Sequence, residues 1–241
     1  MGIIVFNNIP STSVGIEVST FPQYTLPEKE YETVHIPGKS GDLVIDTGSY
    51  KNVTRSYQVN AATYDIVRYD QKMNAIAEWL HSTSGYCRLE DTYEPDFFRL
   101  AYYQEGVSFE NLFNEAGQGT LNFICKPQRF YKTGDVGVKF TENGKIQNRT
   151  NFTSKPLLHI VTNDTAGTVT IGSYTIGIKA ESGINITVDC DLQDAYYGTE
   201  NKNYCIVLND GEFPKLTPGE NVVSFTGGII SVEVIPRWWT V

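Results

Sequence analysis

The densest set of groups able to move protons in this chain is Glu90, Asp91, Glu94 and Asp96. A carboxylate pair is the machinery of glycoside hydrolysis, with one member as acid and the other as nucleophile or base. These four residues straddle Pro95, and acidic side chains are favoured at such turns because they bond local backbone N–H groups. The structural reading, a turn, is therefore preferred over a catalytic one. A second acidic set, Asp189, Asp191 and Asp194, resembles a fragment of a calcium loop, but the glycine and closing glutamate of that loop are missing. Alternation along the strand ending at Cys190 places Asp189 and Asp191 on its solvent face, where charge also deters unwanted strand pairing.

The remaining reactive side chains are scattered. His35, His81 and His159 form no His-x-x-x-His or His-Glu pair, so a triad or zinc site would have to be assembled from distant singles. Gly38-Lys39-Ser40 has the ending of a phosphate loop without its upstream glycine or a following helix. Cys87, Cys125, Cys190 and Cys205 lie in no CxxC spacing; Cys190 and Cys205 could pair across strands, but free thiols are the expectation. Trp238-Trp239 could stack on a sugar ring or fill a core or an interface. No catalytic residue, metal ligand or cofactor site is assigned.

The elements carrying these groups read as mostly β. Tyr31 to Ile36 alternates and stops at Pro37-Gly38. Leu43 and Ile45 precede an expected turn at Thr47-Gly48-Ser49, and Val53 to Val59 alternates again. One helix is expected at about 64–82. Thr63 serves as its N-cap, Ile66, Tyr69, Met73, Ile76 and Leu80 form an apolar stripe, Asp65, Arg68, Lys72 and Glu78 lie opposite, and Gly85 follows its end. A strand, an acidic turn and a strand follow from Tyr86, and Gly119 to Lys126 forms a strand ended by Pro127. Residues 132–155, poor in large apolar side chains, mark the domain boundary, giving domains 1–133 and 134–241. In the second half, hairpins are expected at Gly172-Ser173 and at Gly227-Gly228, with a strand over Ile184, Ile186, Val188 and Cys190 and a turn at Asn209-Asp-Gly-Glu.

Composition narrows the partners. The chain carries a net charge of −9, with 16 acidic and 11 basic residues before Gly134 and 12 and 8 from it onward. Two mildly acidic halves are a poor match for nucleic acid. No run approaches a membrane span or a signal peptide, so a soluble chain made in the cytosol is expected.

Taken in order, several segments resemble the distal tail protein (Dit) family of long-tailed phages. Val34-His-Ile-Pro-Gly-Lys-Ser-Gly-Asp-Leu is similar to the family's IPGRxGxL segment, with Lys39 where Arg is usual. Leu89-Glu-Asp-Thr-Tyr-Glu-Pro-Asp-Phe-Phe-Arg-Leu-Ala is similar to its LxDxxxPDxxRxA hairpin. Phe123-Ile-Cys-Lys-Pro, Asn151-Phe-Thr-Ser-Lys-Pro-Leu, Val188-Asp-Cys-Asp-Leu, Gly211-Glu-Phe-Pro-Lys-Leu and Pro236-Arg-Trp-Trp complete the match. The resemblance implies a mainly β fold. Its first part is a ring-forming β domain with one helix and a belt-like hairpin extension, and its second is a galectin-like antiparallel β-sandwich. It implies a non-enzymatic structural role in a hexameric ring at the phage tail tip. The partners would be further copies of itself, the tail tube protein, the tail-associated lysin or fibre protein and, in some phages, a receptor-binding protein. It implies a place in the virion, with no nucleic-acid partner and no membrane insertion. Candidate assembly contacts sit in the matching motifs: Ile36, Pro37, Gly38, Asp91, Pro95, Asp96, Arg99, Arg237, Trp238 and Trp239. The alternative is a carbohydrate-binding module for host cell-wall polysaccharide, although the His-x-Asn-x-Arg and Trp-Gly-x-Glu segments of galectins are missing.

Overall fold

A computed structural model describes residues 2–62, 69–112, 116–180 and 183–241. The chain divides into two compact units, residues 1–129 with Val241, and residues 130–240. The first contains β1 (Ile4–Phe6), β2 (Ile9–Pro10), β3 (Ile16–Val18), β4 (Lys29–Val34), β5 (Leu43–Tyr50), β6 (Val53–Ala62), α1 (Tyr69–His81), β7 (Cys87–Asp91), β8 (Phe97–Tyr103), β9 (Glu110–Leu112) and most of β10 (Ala116–Tyr131). The second contains β11 (Val138–Phe140), β12 (Gly144–Asn148), β13 (Leu157–Ile171), β14 (Tyr174–Ile178), β15 (Asn185–Asp189), β16 (Asp194–Tyr197), β17 (Glu200–Asn201), β18 (Ile206–Leu208), β19 (Gly219–Ile235) and β20 (Trp239–Thr240). The protein is mainly β, as expected from its periodicity.

In the first unit the strand order is β2-β1-β7-β8-β10-β6-β3, with β9 beside β10. Gly2 bridges Val18, whose N–H donates to the Gly2 carbonyl at 3.1 Å, so the sheet curls until its ends meet. Alternation turns Tyr57, Val59, Leu121 and Phe123 inward, all at most 1% exposed. Ile76, Trp79 and Leu80 of α1 cover this core. The Trp79 indole N–H donates to the Ile9 carbonyl at 3.2 Å, and its ring meets Phe6 edge-on. The expected N-cap Thr63 and stripe residue Ile66 lie outside the described residues. Met73, Ile76 and Leu80 do face the core, joined by Trp79, which the predicted stripe omits. Gly85, past the helix end, takes φ +88°.

β4 and β5 form a two-stranded sheet of their own. The turn expected at Thr47-Gly48-Ser49 is not a turn: β5 runs through it, and the register shifts between Lys29 and Tyr31 on β4 instead. Gly48, at φ +74°, supplies the left-handed residue of a bulge. Nor does Pro127 end its strand, because β10 continues to Tyr131. The ladder from β6 ends at Cys125, so the missing N–H of Pro127 costs no bond to that neighbour.

The second unit is a sandwich organised by two long strands. β13 and β19 pair along most of their length, with an irregularity between Val161 and Gly167. Before it, Leu157–Val161 also pairs with β15; after it, Gly167–Ile171 pairs with β14. β19 likewise pairs with β12 through its first part and with β11 through its last. The bent pair thus serves both layers, and one core containing Leu158, Ile171, Ile186 and Val234 lies between them.

This overturns the hairpin expected at Gly227-Gly228, since β19 is one strand of 17 residues. The two glycines sit where β13 and β19 cross most closely. A Cβ on Gly227 would strike the Ala166 carbonyl, and one on Gly228 the Thr165 hydroxyl. A Cβ on Gly167 would lie 2.6 Å from the Thr226 carbonyl. Glycine here serves close approach of backbones rather than chain reversal. The segment 132–155 also holds more structure than its composition suggests, namely β11 and β12. The Gly172-Ser173 hairpin is present, with Thr170 and Thr175 hydroxyls 2.9 Å apart across it.

Candidate functional site

The predicted assembly residues fall in three places. Ile36, Pro37 and Gly38 occupy the tip of the β4–β5 hairpin and are exposed. A turn forms there, with Lys39 N–H donating to the Ile36 carbonyl at 3.1 Å and Gly38 at φ +81°. His35 Nδ1 and Asp42 Oδ1 approach to 3.1 Å at the neck. The strands are held at their base by Lys29 with Asp46 and by Lys51 with Glu28. Tyr31, Val34, Ile36, Leu43, Val44 and Ile45 are nevertheless 37–58% exposed. An eight-residue β5 gives an arm about 25 Å long. A two-stranded ribbon with apolar residues in water is marginal by itself and gains from cover.

Asp91 and Arg99 lie instead inside the first unit, 8% and 6% exposed, while Pro95 and Asp96 stay on the surface. Asp91 is fully engaged. Its Oδ1 accepts from the N–H groups of Tyr93 and Glu94, both at 2.8 Å, and so closes the Pro95 turn. Its Oδ2 accepts from Tyr57 Oη at 2.6 Å and from Arg55 at 3.1 Å. Burial, then the Asp91 charge, pushes the Tyr57 hydroxyl well above its usual pKa and keeps it a donor. Glu94 accepts from Arg99 at 3.1 Å and from Arg129 at 2.9 Å. Glu90 pairs with Arg88. Tied to guanidinium groups from three strands, Asp91 and Glu94 make a structural junction of β6, β7, β8 and β10.

Arg237, Trp238 and Trp239 fasten the second unit. Arg237 donates to both oxygens of Asp189, at 2.7 and 2.8 Å. The solvent-facing position expected for Asp189 is therefore wrong: it is 3% exposed. It ends β15, where its Oδ1 also accepts from the N–H groups of Asp191 and Leu192, so local turn geometry outweighs alternation. Burial opposes its ionisation, but the Arg237 and backbone donors prevail and hold its pKa below the usual carboxylate range. The Trp239 ring sits 4.4 Å from Phe152, and its N–H donates to the Thr153 carbonyl at 3.0 Å. Trp238 packs against the sandwich core. Ser154 Oγ donates to the Pro236 carbonyl at 2.7 Å, so the terminal segment is docked on its own unit.

Other candidates separate. Asp191 pairs with Lys155 and Asp194 bonds Asn203, and no group of three metal-ligating side chains converges among the described residues. Cys87, Cys125, Cys190 and Cys205 are all free thiols. No described helix is long and apolar enough to cross a membrane. The buried network of Arg55, Tyr57 and Arg129 escaped sequence reading because its partners are spread over 75 residues; only the carboxylate cluster signalled it.

Comparison with known proteins places these features. Residues 10–125 match the family model described as the phage tail protein RIFT-related domain. The structure is similar to the SPP1 Dit (gp 19.1) protein, described as a paradigm of the hub adsorption apparatus in phages infecting Gram-positive hosts. The TM-score is 0.74 at 14% identity, over 100% of both chains. It is also similar to a chain of the phage P2 baseplate in its activated conformation with Ca, with TM-score 0.58 and 11% identity over 97% of each chain. The same baseplate with Sr gives 0.56 and 11%, over 97% of this chain and 96% of that one. No curated protein sequence matches the chain.

Proposed function

We propose that this chain, whose residues 10–125 match the family model of the phage tail protein RIFT-related domain, is a structural hub of a long-tailed phage or prophage tail tip. In this reading, copies of the first unit assemble into a ring, a hexamer by the family resemblance. The ring joins the tail tube protein to the tail-associated lysin or fibre protein and to the host-attachment apparatus. The chain is made in the bacterial cytoplasm and ends in the virion.

The observation that carries the reading is the β4–β5 arm. It leaves six apolar side chains at least 37% exposed and forms a sheet with no third strand among the described residues. A ring neighbour is the economical cover, because closed symmetry gives every arm the same partner surface. The second unit then serves as platform or spacer. The role is structural, and three members of the dense carboxylate cluster, Glu90, Asp91 and Glu94, are paired with arginines.

The test is location in the particle. An epitope tag on the exposed Asn209–Gly211 turn should bring gold-labelled antibody to the distal end of the tail. Label along the tube or on the capsid, or none on tagged particles, would refute the tip assignment.

A further inference from the structure

We infer that the second unit carries a binding cleft for a single pyranose ring of a glycan, lined by Tyr131, Thr133, Gln147, Arg149, Thr150 and Trp238. The cleft measures about 310 Å³, the size of a small-ligand site.

The argument rests on what its side chains leave undone. Of the lining side chains Thr150 is already spent, its Oγ1 bonding Asn148 and Phe152, and the amide donors of the adjacent Asn148 reach Phe152 and Leu216. The Arg149 guanidinium, the Gln147 amide, the Thr133 hydroxyl and the Trp238 indole N–H make no hydrogen bond or ion pair among the described residues, yet all four side chains line one concavity. Arg149 and Gln147, two apart on and just past β12, place a fork of donors and an amide carbonyl on the same side of the strand. Two half-buried aromatics, Tyr131 and Trp238, complete the lining.

That combination selects a ligand class. An aromatic ring covers the apolar C–H face of a pyranose, and planar guanidinium and amide groups satisfy pairs of adjacent hydroxyls at its rim. A purely apolar ligand would strand the Arg149 and Gln147 donors. A polyanion such as nucleic acid meets a unit with 12 acidic and 9 basic residues and only one cation in the cleft. The site does not use the galectin sequence segments, and it stands whether or not the hub reading holds.

Saturation-transfer NMR on the intact chain tests it, with glucose, galactose and N-acetylglucosamine each at about 10 mM, above the Kd of a weak small site. Transfer to at least one sugar is expected, with amide shifts confined to 131–133, 147–150 and 238. Arg149→Ala and Gln147→Ala should each weaken it about tenfold, or about 1.4 kcal/mol. Both side chains are exposed and unpartnered, so both variants should keep the wild-type melting temperature; Trp238→Phe is the aromatic control. No transfer from any of the three sugars would overturn the proposal. So would transfer undiminished in the Arg149→Ala, Gln147→Ala double variant, or adenosine competing equally, which would mark a stacking surface without sugar selectivity. The molar mass of the same samples reports separately on assembly, so the two readings fail independently.

Discussion

Arg237 grips Asp189 with two parallel N–H donors at 2.7 and 2.8 Å, joining the terminal segment to the end of β15. The carboxylate is almost fully buried and the guanidinium about a quarter exposed. Removing the cation strands a buried charge. Arg237→Ala should therefore lower unfolding free energy by about 2–4 kcal/mol, a range reduced for the partial exposure of the arginine. Chemical denaturation is the measurement.

The same pair has a pH signature. The folded pKa of Asp189 lies below its unfolded value. Its stabilisation is therefore present above the unfolded value, near 3.8, and is lost as pH falls through the folded pKa. Wild type should lose stability in that acid window more steeply than Asp189→Asn. Parallel acid-unfolding curves would remove Asp189 from the account.

Asp91 should be the most sensitive carboxylate of the first unit. Asp91→Ala leaves Arg55 buried, strands Tyr57 Oη and frees the turn N–H groups, so a loss of about 3–5 kcal/mol is expected. A double-mutant cycle with Tyr57→Phe should show coupling of at least about 0.5 kcal/mol, as is usual for residues sharing a network. A cycle that closes to zero would mean the two act separately.

Glycines distinguish crossing from turning. Gly227→Ala meets the Ala166 backbone, whereas Gly211→Ala, also at positive φ (+71°), meets open space. Gly227→Ala should cost about 2–4 kcal/mol, combining backbone strain with overpacking, and Gly211→Ala only about 1 kcal/mol from strain alone. Equal melting temperatures would refute the close-approach role.

Thiol reactivity should follow burial. Burial pushes the Cys125 and Cys190 thiols up to about 12, and Cys205 is 1% exposed. Native-state iodoacetamide labelling read by mass spectrometry should therefore mark Cys87 first, with the other three slow until the protein unfolds.

These contrasts explain what the sequence made legible. Alternation found β15 and the Gly172-Ser173 hairpin because each buries one face of a short strand. It failed at Gly227-Gly228, since paired glycines serve a type I′ turn and a tight backbone crossing equally, and only the partner strand decides. It failed at Asp189 because a strand's last residue answers to its turn and to Arg237, which lies 48 positions away. The acidic motif around Pro95 was visible, but its arginine partners are long-range and carry no local pattern. At Ile36, Pro37 and Gly38 the motif located an exposed tip, and the neighbour proposed to cover it belongs to another chain.

The most direct test of the central claim is the molar mass of the purified protein by light scattering on a sizing column. Wild type and Val44→Asp, Ile45→Glu should be run alone and with tail tube protein. Both positions are exposed, so the fold of the variant should be unchanged within about 0.5 kcal/mol per site. The account predicts about six times the 27.0 kDa chain mass for wild type and a single-chain mass for the variant. A wild-type chain that stays monomeric at every concentration, with and without tail tube protein, would contradict it.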